Sequence, residues 1–229
     1  MITLLCSSYN SSEHIEKYLE SINNQFLSKF QVVFVDANSS DDSLEKIKSY
    51  KFRKNIDSEI IECSERIGVY AAWNKAVQAS KYPYVMNYNT DDRLYPSALK
   101  LATLYAKKYP DVDLFYSRCF ITDNAQNQTL VGLHDWPDFS HRDLLENCIC
   151  GPFPFLKKET LIEVGMFETA YQISGDYATW LKMSKKGCKF MKIPEALGCY
   201  YHNPQGVSTD PEFFETHLKE DLLLREKYA

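Results

Sequence analysis

A chain of 229 residues, 45% of them hydrophobic, can fill one large core, and sixteen Tyr help lift the aromatic share to 14%. The formal net charge of -5, with no block of Lys and Arg, argues against a nucleic-acid partner, because phosphate binding needs clustered cations. The seven Cys (6, 63, 119, 148, 150, 188 and 199) follow no metal or disulfide spacing and read as buried small hydrophobes in a reducing cytoplasm.

The first half alternates strand and helix. Ile2–Cys6 is an apolar strand, and the polar turn Ser7–Ser12 leads into a helix whose face carries Ile15, Tyr18, Leu19 and Ile22, with Ser11 or Ser12 as its cap. Gln31–Val35 is a second strand closed by Asp36–Ser40. A helix over about Asp41–Tyr50 turns Leu44 and Ile47 inward. Glu59–Cys63, the helix Val69–Ser80 and the strand Tyr84–Tyr88 follow, and then an amphipathic helix Leu94–Tyr109 with Leu101, Leu104 and Tyr105 aligned. Uniformly apolar strands between helices predict a mostly parallel sheet covered on both faces. Ligands bind outside the carboxyl ends of such strands, so Ser7–Asn10, Asp36–Ser40 and Asn89–Asp92 should gather along one rim.

The second half is less regular. Leu114–Phe120 reads as a strand, Thr122–Gln128 as a polar turn and Thr129–Leu133 as the returning arm of a hairpin. A short helix His141–Glu146 precedes Cys148–Leu156, an irregular strand interrupted by Gly151, Pro152 and Pro154. Gly175–Lys186 is helical with Gly187 as its stop, Lys189–Ile193 is a last short strand, and Pro211–Tyr228 is a charged terminal helix. Asn127-Gln128-Thr129 has the form of a glycosylation acceptor, but no charged-then-apolar leader opens the chain and no apolar run reaches the length of a membrane span. Soluble and cytoplasmic is the expectation. The terminal helix could serve as an oligomer contact, a contact with the inner face of the membrane or a cap on the fold.

Asn89-Thr90-Asp91-Asp92 brings two adjacent carboxylates out at a strand end. A hard cation such as Mn2+ or Mg2+ takes carboxylate oxygens and leaves positions for phosphate. The same pair could instead cap the next helix.

Ser7–Asn10, Val35–Asp42, Arg66–Ala76, Asn89–Asp92, Val164–Phe167 and Gly175–Trp180 stand in an order that resembles family 2 glycosyltransferases of the GT-A fold. Ser7-Ser8-Tyr9-Asn10 is similar to their Thr-Tyr-Asn opening, and Val35–Asp42 to their Asp-Gly-x-Ser-Thr-Asp-Gly turn. Arg66–Ala76 is similar to the stretch before their acidic motif, and Asn89-Thr90-Asp91-Asp92 stands where the Asp-x-Asp belongs. Val164-Gly165-Met166-Phe167, then Gly175-Asp176-Tyr177-Ala178-Thr179-Trp180, resemble the Gly-Gly-Phe and Glu-Asp-x-x-x-Trp pair, and Pro194-Glu195 with Tyr200–Pro204 resembles the closing stretch. The resemblance spans about residues 1 to 208, and with no linker or repeat in the chain the expectation is one domain over 1–229. Residues 1–110 form its nucleotide-binding half, 111–208 its acceptor and catalytic half, and 209–229 its terminal helix. The implied fold is an α/β, Rossmann-like, mixed and mostly parallel sheet.

Site roles follow from the resemblance alone. Ser7 and Tyr9 frame the nucleotide base, Asp36 accepts from base or ribose, Arg66 lies near base or diphosphate, and Lys75 lines the donor side. Asp91 and Asp92 bind the metal and the ribose–diphosphate, with His202 as a further metal ligand. Asp176 is the catalytic base that takes the proton of an acceptor hydroxyl. Most have a plainer alternative, and Tyr9 could be a helix-cap aromatic. Asp36 with Asn38 could hold their own loop, Arg66 could form a surface ion pair, His202 could be structural and Asp176 an N-cap, while Asn74 reads as loop support. Trp136 and Trp180 suit either sugar stacking or core packing. Asn89 replaces the first acid of the motif, and Gly175 stands in place of a glutamate. The expected activity is inverting, metal-dependent transfer from a nucleotide-sugar, a UDP-sugar by family habit, to a saccharide or lipid-linked acceptor. A non-catalytic nucleotide-sugar-binding relative and a nucleotidyltransferase are the alternatives. The nucleotidyltransferase is disfavoured because Ser7–Ser12 holds no Gly, Lys or Arg.

Overall fold

The computed structural model describes residues 1–124 and 129–229. The Asn127-Gln128-Thr129 acceptor and the end of the Thr122–Gln128 turn therefore fall wholly or partly outside the described residues. The first half runs β1 Ile2–Ser8, α1 Ile15–Asn23, β2 Phe30–Asp36, α2 Ser43–Ser49, β3 Ile56–Glu62, α3 Val69–Ala79 and β4 Tyr84–Asn87. The second half runs β5 Arg93–Leu94, α4 Ala98–Lys108, β6 Leu114–Thr122, β7 Leu130–His134, α5 His141–Glu146, β8 Phe155–Lys157, α6 Lys158–Glu163, α7 Gly175–Lys185, β9 Phe190–Tyr201 and α8 Phe214–Tyr228.

One sheet takes the order β3-β2-β1-β4-β8-β6-β9-β5, with β7 beside β6. The strands of the first half pair in parallel. β8 then joins antiparallel to β4 and β6, β6 and β9 run parallel, and β5 and β7 close the sheet antiparallel. The expected mixed α/β architecture with helices on both faces is what forms. One apolar layer packs Tyr18, Leu19 and Leu99 from α1 and α4 against Leu4 and Phe34. The other packs Trp73 of α3 and Trp180 of α7 against Leu5 and Val33. Alternate residues of the same strands thus serve opposite layers, as a strand buried on both faces requires. Among the described residues no helix is long and apolar enough to cross a membrane.

Four elements differ from the sequence reading. Leu94 does not open a helix: Arg93 and Leu94 pair with Cys199 and Gly198 of β9, and α4 starts at Ala98. Its buried line is Ala98, Leu99, Ala102 and Ala106, while Leu104 is exposed. The last strand is not five residues but twelve, running through Pro194. Proline is tolerated because the β6–β9 register slips between Ser117 and Arg118, from Ile193 to Ala196, so the ladder needs no N–H from Pro194. Of Cys148–Leu156 only the end is strand, and α6, unforeseen, follows β8 at once. Finally, no side chain caps α1. The Ser11 carbonyl accepts from His14 and Ile15, whereas the Ser12 N–H and hydroxyl go to Asp41 and Asp42. Gly187 ends α7 as expected, in the left-handed region at φ +80°.

Candidate functional site

The parallel strands β1, β2 and β4 end on one rim, and the loops beyond them are stitched together. Asn10, in the left-handed region, donates its N–H to the Ser39 hydroxyl (3.1 Å) and accepts from the Ser40 N–H (2.9 Å). Ser11 N–H donates to the Ser43 hydroxyl at 2.7 Å. A cleft of about 700 Å³ opens beside these loops. Ser7, Tyr9, Arg66, Asn89, Asp91 and Asp176 all line it. The Arg66 guanidinium lies over the Tyr9 ring, 4.4 Å from its centre.

The remaining expected site residues lie elsewhere. Asp36 is buried beneath its own turn, where Oδ2 accepts the Ser39 N–H (2.9 Å) and Oδ1 the Ser39 hydroxyl (2.6 Å). Lys75 and His202 are exposed and outside the cleft lining. The His202 N–H donates to the Thr122 carbonyl at 2.9 Å. Asn74 braces the Phe167 backbone in both directions at 2.9 Å, the loop-support role expected of it. Trp180 is fully buried against Phe167, so it packs the core and cannot meet a sugar. Trp136 lies parallel to His134 at 4.8 Å and likewise does not line the cleft.

The acidic pair divides its labour. Asp91 faces the cleft and accepts from the Asn203 amide at 3.3 Å. Asp92 is buried, where Oδ1 accepts the Tyr201 N–H at 3.1 Å and Oδ2 has no partner among the described residues. Burial pushes the Asp92 carboxyl well above the usual carboxylate range, and the neighbouring Asp91 charge pushes the same way. The Arg93 charge opposes that rise, as the smallest of the causes. Its guanidinium donates to the backbone carbonyls of Thr90 (2.9 Å), Asp92 (2.6 Å) and His14 (3.1 Å), bracing the turn. Neither acid caps a helix, since the N-cap of α4 is Ser97.

Whether the corner suits a divalent cation is a question of donor chemistry. Among the described residues no three His, Cys, Asp or Glu side chains form a cluster able to hold a metal. At this corner the cleft lining offers the Asp91 carboxylate and the neutral amide of Asn89. That set fits a hard cation which takes one carboxylate and draws its other oxygens from phosphate and water.

Asp176 sits in the first turn of α7, two residues after the N-cap Ser174, so it is not the cap. Burial raises its carboxyl above the ordinary range, while the Tyr177 N–H (2.8 Å) and the Tyr70 phenol (3.3 Å) counter the rise at Oδ1. Both hydrogen bonds that reach the carboxyl from other residues go to Oδ1. Gly175 is required by close approach: a Cβ there would overlap the Glu168 carbonyl and lie 2.6 Å from the Tyr70 ring. The glutamate implied by the resemblance therefore has no room.

Tyr70, Ile173, Tyr201 and Asn203 also line the cleft, and sequence reasoning assigned none of them a role. Tyr70 stood inside the quoted Arg66–Ala76 stretch, so its position was visible although its partner was not.

The family model "Glycosyl transferase family 2" matches residues 3–157. That span contains Ser7, Tyr9, Asp36, Arg66, Lys75, Asp91 and Asp92, and ends before Asp176 and His202. An uncharacterized glycosyltransferase of Haemophilus influenzae is 26% identical over 92% of this chain and 72% of its own length. The chondroitin synthase of Escherichia coli is 25% identical over 82% of this chain, which spans only 27% of that enzyme. The structure of Staphylococcus aureus TarS residues 1–349 in complex with UDP superposes with a TM-score of 0.78 at 16% identity, covering 99% of this chain and 64% of that one. At that identity the likeness is one of fold.

Proposed function

The chain belongs to glycosyl transferase family 2, and on that premise we propose that it moves a sugar from a nucleotide-diphosphate-sugar to an acceptor hydroxyl in polysaccharide or glycoconjugate synthesis. The observation that carries this is the shared cleft: Tyr9, Arg66 and Asp91 line it together with Asp176. A donor needs the first three and an attacking hydroxyl needs the last. The UDP bound by TarS supports a UDP-sugar, and the chondroitin synthase relative supports a saccharide acceptor.

In this reading the Tyr9 ring and the Arg66 plane form a flat wall for the base, and the Arg66 charge faces the diphosphate. Asp91 is the residue that would hold Mn2+ or Mg2+. When bound, the cation neutralises charge on the departing diphosphate. Asp176 Oδ2 accepts the acceptor's proton as that oxygen bonds to the anomeric carbon. The bond from that carbon to the diphosphate oxygen breaks with its electrons leaving on the diphosphate. Base and leaving group on opposite faces of the sugar give inversion. The raised carboxyl of Asp176 makes it a stronger base than an exposed aspartate.

The test has two stages. Thermal-shift and calorimetric screening of nucleotide-sugars with Mn2+ should find a donor, and that donor should slowly release its nucleoside diphosphate even without acceptor. Asp176→Asn should then cut transfer by about 10²-fold or more while leaving donor affinity in place. Near-normal turnover by that variant overturns the base assignment. Donor binding without any turnover in the unmodified chain would instead make it a non-catalytic nucleotide-sugar-binding relative.

A further inference from the structure

The segment that carries Asp176 is held from two sides. Glu220 on α8 accepts three consecutive backbone N–H groups, from Gln172 (2.7 Å), Ile173 (2.9 Å) and Ser174 (2.9 Å). Its neighbour Asp221 accepts the Ser174 hydroxyl at 2.7 Å. From the opposite side Tyr70 of α3 brings its phenol to the Ile173 carbonyl and to within 3.3 Å of Asp176 Oδ1. Tyr70 is 6% exposed and its ring edges against Trp73, so the phenol is fixed in place.

We infer that Tyr70 is the positioning residue of the Asp176 carboxylate: its phenol, seated against Ile173 and Gly175, engages Oδ1 and leaves Oδ2 as the oxygen that meets the acceptor hydroxyl. This rests on the reading of Asp176 as the base. A phenol has one proton to give. While Asp176 is neutral that proton serves the Ile173 carbonyl, and once Asp176 ionises the carboxylate is the stronger acceptor and draws it. The other titratable groups coupled to Asp176 are Cys148 and Cys150 from the stretch before β8 and His217 from α8, while Asp221 of the same helix acts on Cys148. Burial pushes both thiols well up, so they stay neutral. Among the side chains of this set, Tyr70 is the one at hydrogen-bond distance from the carboxylate.

The experiment titrates the Asp176 carboxyl carbon by NMR in the full chain labelled with ¹³C at aspartate, the resonance being assigned by its loss in Asp176→Asn. Tyr70→Phe keeps the ring that covers Gly175 and removes only the oxygen. Its Asp176 midpoint should rise by about one pH unit, a tenfold change in proton affinity. Placing 3-fluorotyrosine at position 70 alone makes the phenol a stronger donor and should move the midpoint down. Because it retains every native heavy atom, this variant decides the question if Tyr70→Phe fails to fold. Midpoints that stay at the unmodified value, or move in the opposite sense, overturn the inference, since a purely structural tyrosine would not give shifts of opposite sign. The outcome is separable from the base assignment. Retained turnover in Asp176→Asn defeats that assignment whatever the titration shows, and an inactive Asp176→Asn with unmoved midpoints defeats only the role of Tyr70.

Discussion

Arg66 rests its guanidinium on the face of Tyr9, 4.4 Å above the ring centre, and both residues line the cleft. An exposed cation–aromatic pair of this kind contributes about 0.5–1 kcal/mol. It holds the two side chains against each other within the cleft lining.

Replacing Tyr9 by alanine should therefore weaken UDP binding about tenfold, in line with the loss of one base–aromatic contact. Tyr9→Phe should bind nearly as the unmodified chain does. Titration calorimetry with UDP and Mn2+ measures both, and unaltered affinity in Tyr9→Ala would place the nucleoside elsewhere in the cleft.

Glu220 lies outside the cleft lining yet governs the loop before Asp176. Glutamine in its place is neutral and offers one carbonyl oxygen where three N–H groups now find a carboxylate. Glu220→Gln should lower unfolding stability by about 1–3 kcal/mol. Amide exchange at 172–174 should quicken as well. Slow exchange there, with stability unchanged in urea, would show that the loop is held by other means.

Two glycines test how tightly that same region is packed. Gly175→Ala drives a methyl into the Glu168 carbonyl and the Tyr70 ring and should cost about 2–3 kcal/mol or more. Gly187→Ala meets no atom within 4 Å and bears only the left-handed backbone penalty, about 1 kcal/mol. Thermal melts of the two variants side by side should rank them in that order. Equal melting temperatures would mean that the backbone under Tyr70 yields.

Asp92 sets a pH dependence of stability whose sign can be worked out. Its carboxyl is raised well above the ordinary 3.8 by burial, so between the two values the folded chain binds a proton that the unfolded chain has lost. Stability from this group is complete at low pH and declines as pH rises toward the folded value. Asp92→Asn removes that decline. The melting temperature of the variant relative to the unmodified chain should thus increase from about pH 5 to about pH 8. A difference that stays flat or shrinks would mean that the Asp92 carboxyl is charged in the folded chain at neutral pH.

Much of the first half was legible because each strand and helix there is specified by its own neighbours. Apolar runs of strand length and a 3.6-residue period located β1, α1, β2, α2, α3 and β4 within a few residues. What escaped depends on partners far along the chain. β5 is two residues long and exists only because β9 lies beside it. Proline at position 194 hides β9 from a local reading, since nothing in the sequence announces the register slip that accommodates it. The site divides the same way. Motif order brought Tyr9, Arg66, Asp91 and Asp176 to one cleft. Burial, which no motif reports, separated Asp92 from Asp91 and closed Asp36 under its turn. Glu220 carries no motif at all and is found only from the three N–H groups it collects.

The ties of the acidic pair bear on how the chain folds. Asp92 and Asp91 take their partners, the N–H of Tyr201 and the amide of Asn203, from 109 and 112 residues further on. The corner is accordingly a joint between a turn near the middle of the chain and its last strand. It cannot assemble until β9 has threaded between β6 and β5, a contact of long sequence separation that forms late and slowly. A nascent or truncated chain therefore displays two adjacent unpaired acids on an unfinished sheet, and competence for the donor should appear in one step with closure of the last strand.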